Sequence, residues 1–377
     1  MTARAGGLIF LVIIGIAGFG YYFLSMLNTD SENEATKKGA TENYEASEAK
    51  AEDKTLELQK AIDETPAGGT LEISPGVYNV SKNPELKAVT EYGDSYFALK
   101  ISKPITIVME EAIFHTDTDD DYGVFWVNET EDVHLKGGFL MGERLPEEGT
   151  LISHIGILFL YTNDSSIENT YLKNFSQGVH LNHADHNVIK NVTSEFNYGS
   201  GIISYDSDQN VIDSCVVRNS GDGHVSLYGG GEDNHVVNCM VTEDRKGFDD
   251  QQGITVESEK GSLIENNTVS GFYYGIDVKN ASESNIIESN IAFNNEYNIA
   301  VRGGDGGENL ELPSYDTQIL NNLVVNPRDK SSNGIFIDAG EGHVVIGNTL
   351  NVDNLIMPEK ELAIYESQNY FVEEDNK

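Results

Sequence analysis

The sequence is that of an all-β chain wound as a right-handed parallel β-helix. A repeat carries most of this reading: Gly156-Ile-Leu-Phe, Gly178-Val-His-Leu, Gly201-Ile-Ile-Ser, Gly253-Ile-Thr-Val, Gly275-Ile-Asp-Val, Asn298-Ile-Ala-Val and Gly334-Ile-Phe-Ile each open a unit. The openings are 22 or 23 residues apart where no insertion intervenes, with Gly223 fitting at 22 after Gly201. Each unit holds three short runs of period-2 alternation, which cannot bury an apolar face alone but can when stacked on their own copies. A second register agrees. Cys215, Cys239, Asn267, Asn290, Asn322 and Asn348 precede the third strand of successive units. Stacked Asn at an inward turn can hydrogen-bond along the column and satisfy backbone groups the turn leaves unpaired.

Taken from the N-terminus, residues 1–29 read as a membrane anchor or signal segment. Residues 6–27 carry no charge and are long enough to span a bilayer, with Arg4 before them and Asp30, Glu32 and Glu34 after;. The positive-inside rule then leaves the remainder outside the cytoplasm, tethered if the segment is kept and secreted if it is cut. Residues 30–54 are a polar, acidic linker without apolar period. The β-helix with its N-terminal cap is expected over 55–355, and residues 356–377 form a C-terminal cap or tail rich in Glu. In the cap, Leu58, Ala61 and Ile62 make one face of a short helix, Pro66-Ala-Gly-Gly breaks it, and Leu71-Glu-Ile starts a strand;. Segments near 143–155, 229–235, 243–252 and 303–316 lengthen their units, and in a solenoid such insertions often wall a groove.

The helix–Gly-Gly–strand–Pro-Gly-x-Tyr string of residues 55–80 resembles the N-terminal cap of the pectate lyase-like superfamily, which includes polysaccharide lyases and mannuronan C5-epimerases. The resemblance implies a right-handed β-helix and a polysaccharide held along one of its faces.

Composition restricts the partners. Against 24 basic residues stand 62 acidic ones, a net charge of -38, so a nucleic-acid phosphate backbone is an excluded partner;. That charge suits solubility in high salt. Cys215 and Cys239 lie 24 residues apart at equivalent places, as two apolar ladder residues or a disulfide;. No Cys/His spacing marks a metal. The loop Asp117-Thr118-Asp119-Asp120-Asp121 offers oxygens that suit Ca2+, but not at EF-hand spacing, and a solvated turn is its simpler reading;.

Alternation assigns the candidate site. If Val179 and Leu181 point in, the same rule turns His180, Tyr205, Tyr228, Glu257, Asp277, Lys279 and Arg302 outward, with Asp222 and His224 beside them;. A row mixing acids, bases and aromatic rings suits a sugar polymer in a groove. Asp222, just before a unit opening, is similar in placement to the acidic position of pectinolytic hydrolases and mannuronan C5-epimerases. The flanking epimerase motifs are replaced here by Ser204-Tyr205-Asp206-Ser207 and Gln251-Gln252-Gly253. Lys279 and Arg302, on successive units, resemble the Lys/Arg pair of alginate and chondroitin lyases. The resemblance implies Lys279 as base and Arg302 as stabiliser of the enolate, with Asp222 and His224 as further catalytic candidates. His180, Tyr205, Tyr228, Glu257 and Asp277 would then contact substrate. The function expected is a lyase or C5-epimerase acting on a uronate-containing polysaccharide. A glycoside hydrolase using Asp222 with Asp249, Asp250 or Glu257, and a non-catalytic glycan binder, are the alternatives.

Overall fold

The structure is a computed structural model that describes residues 52–116, 122–142, 154–247, 251–304, 312–325, 333–338, 340–350, 355–356 and 369–371. The apolar run 6–27, the Asp117–Asp121 loop, most of the linker and most of the C-terminal tail lie outside these residues. Among the described residues no helix is long and apolar enough to cross a membrane.

The described residues from Asp53 onward form a parallel β-solenoid of three sheets. Sheet 1 (12 strands) contains Gln177–Asn182, sheet 2 (11 strands) contains Val188–Lys190, and sheet 3 (12 strands) contains Thr193–Glu195. Successive regular coils contribute a strand to each sheet and pair in parallel; Val179, Ile202, Val225, Ile254, Ile276, Ile299 and Ile335 form one inward column. All seven are fully buried.

That register corrects one expected opening. Val225 pairs with Ile202, so the residue equivalent to Gly201 is His224, not Gly223. The coil is one residue longer than the glycine pattern suggested.

The polar column behaves as its spacing implies. The backbone N–H groups of Asn267, Asn290 and Asn322 donate to Oδ1 of Asn290, Asn322 and Asn348 at 2.8–2.9 Å. Asn348 N–H continues the chain to Asn369 at 2.9 Å, one coil past the point where the sequence repeat fades. Cys215 and Cys239 are buried free thiols in this column, as ladder residues and not a disulfide; Cys215 N–H donates to Cys239 Sγ at 3.4 Å.

The end of the column is covered by helix α1 (Thr55–Glu64), which buries Thr55, Leu58 and Ile62. Between cap and regular coils the chain makes an antiparallel hairpin, Asn83–Thr90 with Gly93–Ile101, on sheet 1. Its turn, Glu91-Tyr92, reaches along the outward face, and the site is built beneath it.

A cleft on the outward face of sheet 1

Two outward ladders run along sheet 1. One contains His180, Ile203, Ser226, Thr255, Asp277, Ala300 and Phe336; the other contains Asn182, Tyr205, Tyr228, Glu257 and Lys279. The alternation rule therefore orients these residues correctly, but it treats outward as exposed, and here it needs correction. His180 and Asp277 are fully buried, while Lys279 and Arg302 are nearly so. His180 lies under the hairpin turn: its Nε2 is 3.1 Å from Glu91 Oε1, and the Tyr92 ring is 5.9 Å away, centroid to centroid. Asn182 also donates to Glu91. Burial pushes the Glu91 carboxyl up, but the bonds from His180, its own backbone N–H and Tyr228 more than offset this and hold it below the usual carboxylate range.

Beside the turn opens a cavity of about 270 Å³, lined among others by Tyr92, Asp222, Tyr228, Thr255, Glu257 and Lys279. The Tyr228 hydroxyl donates to that of Tyr92 at 2.8 Å. Burial raises both phenol pKa values, and neighbouring carboxylates add to the effect, so both remain protonated at neutral pH;. Lys279 Nζ is 3.3 Å from Glu257 Oε2, and Glu257 also accepts from Asn280. Asp222 is exposed at the rim. The Thr255 hydroxyl, on the floor, is buried without a hydrogen-bond partner.

The cavity thus brings together Asp222, Tyr228, Glu257 and Lys279. The Tyr205 ring is tilted 60° against that of Tyr228 at 4.7 Å but does not line the cavity. His224 is elsewhere. It was expected beside Asp222 on the outward face, yet it is fully buried at the corner where other coils carry glycine. Its Nε2 accepts from Ser220 N–H at 3.0 Å, its Nδ1 is 3.1 Å from the Asp222 carbonyl, and its ring is 4.6 Å from that of Phe272. Beyond it, burial would raise the Glu243 carboxyl, but bonds from the Arg245 guanidinium and backbone N–H hold it below the usual carboxylate range. Arg302 is also committed: its guanidinium forms a two-pronged pair with Asp277 at 2.8 and 2.7 Å and lies 4.3 Å over the Tyr274 ring.

Glu91 and Tyr92 lie outside the 22-residue repeat, so alternation along the coils does not point to them. A signal was present: the polar-apolar runs on either side of Glu91-Tyr92-Gly93 have the form of a short-loop hairpin;.

Among the described residues no group of three or more His, Cys, Asp or Glu converges to hold a metal ion.

Comparison with known proteins gives a family and a fold. The model of the family described as periplasmic copper-binding protein (NosD) matches residues 142–304 and 234–373, well over half of the chain. No curated protein matches by sequence. Among solved structures, the ORF18 protein of Geobacillus virus E2 is 13% identical with a TM-score of 0.57, covering 86% of this chain and 59% of that one. An alginate lyase from Paenibacillus sp. str. FPU-7 is 15% identical with a TM-score of 0.52, over 76% and 97% of the two chains. The mannuronan C-5 epimerase AlgE6 A-module of Azotobacter vinelandii is 15% identical with a TM-score of 0.50, over 85% and 94%. At such identities the likeness establishes the fold.

Proposed function

The chain belongs to the family of periplasmic copper-binding protein (NosD), and we propose that it works outside the cytoplasm as a carbohydrate-active β-helix, binding a polysaccharide across sheet 1 and moving a proton on a uronate unit. The observation that carries this reading is the cavity itself. Two carboxylates (Asp222 and Glu257), two protonated phenols and one ammonium group face a space walled by the Glu91-Tyr92 turn.

The chemistry follows from those groups. Asp222 takes the proton α to the uronate carboxylate, and the electron pair left behind is delocalised as an enolate. Lys279, whose ammonium is held by Glu257, faces the growing negative charge and is not placed to accept a proton. In elimination the electron pair forms a C=C bond, the glycosidic C–O bond breaks, and a Tyr92 or Tyr228 phenol gives its proton to the departing oxygen. In epimerisation the phenol returns a proton to the opposite face and no bond to oxygen breaks. Hydrolysis is the second reading, favoured because Asp222 and Glu257 line the same cavity; it would use them as an acid/base pair.

Among the described residues no group of three or more His, Cys, Asp or Glu comes together to take the copper of the family's description. The two thiols are buried in the column with backbone partners, and His180 and His224 are each enclosed by protein groups. No step is assigned to a metal.

Incubation of the full-length chain with uronate and neutral polysaccharides separates the readings. We expect unsaturated uronate ends, seen by ultraviolet absorbance, or inverted C5 configuration, seen by NMR. Either should fall at least about 100-fold in Asp222→Asn and in Tyr228→Phe. New reducing ends without unsaturation would transfer the assignment to hydrolysis by Asp222 and Glu257.

A further inference from the structure

Beyond the cleft, a neighbouring row of sheet 1 carries a cluster of aromatic rings with no role in the proton transfer. Gln252, which lines the cavity, pairs in register with Tyr274, and Tyr274 pairs with Tyr297. The Tyr274 and Tyr297 rings stack at 5.1 Å with 27° between their planes. Tyr273 stands across them, 4.8 Å from Tyr274 and 5.4 Å from Tyr297, and Phe336 lies 4.9 Å from Tyr297. All four side chains are half-buried and so keep part of their surface open.

We propose that Tyr273, Tyr274, Tyr297 and Phe336 form a stacking subsite for the sugar units that leave the cleft, and that Arg302 is its positioning residue. The proposal rests on the cleft being a polysaccharide site. Its occupant is the next stretch of the same chain, because the rings begin one coil, about 5 Å, from the cavity on the same sheet. Sugar rings present C–H faces that pack against aromatic rings, and phenol hydroxyls supply polar handles at the edge.

The buried pair explains why an arginine is there. A buried ion pair gives little net stability compared with apolar residues of the same volume. Its guanidinium, fixed by two bonds to Asp277, lies flat over Tyr274 and holds that ring in place;. Asp277 cancels its charge, so contact with the platform is non-ionic. In a chain of net charge -38 that matters: a polyuronate gains nothing from the overall field and must be held by contacts that ignore charge.

The test measures retention of the full-length chain, in mild detergent, on immobilised alginate and polygalacturonate at low and high salt. Tyr297→Leu and Tyr274→Leu, which keep an apolar side chain but lose the ring face, should weaken retention about two- to tenfold. Tyr297→Phe should restore it. Arg302→Lys, which keeps the charge but loses the flat fork, should fall with the leucine variants, and the loss should persist at high salt. A merely structural arginine would lower the melting temperature of Arg302→Lys and leave the retention of the folded protein unchanged. Unchanged retention in the leucine variants, with product still formed, overturns the platform and leaves the cleft reading standing. Weakened retention with no product supports the platform and overturns the chemistry. A wild-type chain that no polymer retains overturns both.

Discussion

Glu259 occupies a column where neighbouring coils carry Ser207, Gly231, Ser282 and Ser314. Its carboxyl is buried, accepting from Gly231 N–H and Asn234 Nδ2 at 3.1 and 3.0 Å and from the Ser262 hydroxyl at 3.3 Å. Burial raises its pKa to about 7, against an ordinary 4.5, and the hydrogen bonds only partly counter it. The folded chain therefore holds a proton that the unfolded chain has released between those two values. Stability from this group is complete below the lower value and is lost as pH rises through the upper one. Calorimetry between about pH 5 and about pH 8 should show wild-type melting falling relative to Glu259→Gln by on the order of a few degrees. Parallel melting curves would show that Glu259 is already ionised in the fold.

At the scale of the element, the coil's paired asparagines divide the work between them. Asn266 and Asn321 take left-handed φ of 56° and 55°, with Ser289 at 58° in the coil between. Asn tolerates that region better than most residues, so the chain can turn there without glycine. The next residue, Asn267, Asn290 or Asn322, then points inward and joins the buried ladder. Asn290→Ala would strip the acceptor from Asn267 N–H and the donor to the Ile264 carbonyl, both buried. A cost of at least about 2 kcal/mol in denaturant unfolding is expected, and a clearly smaller one for Lys190→Ala, which removes a surface ion pair with Asp213;. Equal midpoints would mean that the ladder is replaceable by water. This element was readable in the sequence because stacking forces one chemistry to recur at one spacing. A second ladder runs beside it: Asn187 N–H donates to Asn210, and Asn210 N–H to Asn234, at 2.8 and 3.0 Å. Its signal was equally present, one turn earlier in each coil.

Across the whole molecule, what was legible followed from translation along the solenoid. Period and alternation gave sheet 1 its outward ladders, and so the neighbourhood of Tyr228, Glu257 and Lys279. Contacts that break the repeat were not legible. The Glu91-Tyr92 turn meets Tyr228 across 137 and 136 residues, and no spacing rule connects them. Insertion of one residue before His224 moved a histidine from the expected face to the interior corner. Arg302 was correctly placed one coil beyond Lys279, but pairing with Asp277 depends on side-chain reach that spacing does not encode.

The central claim is that this cleft removes the proton α to a uronate carboxylate. The most direct test is to incubate the full-length chain with a uronate polymer in heavy water and examine the sugar units by NMR and mass spectrometry. The account predicts deuterium at C5 or unsaturated chain ends with the wild type, and neither with Asp222→Asn. Shortened chains with every C5 proton intact would contradict it and leave Asp222 and Glu257 as a hydrolytic pair.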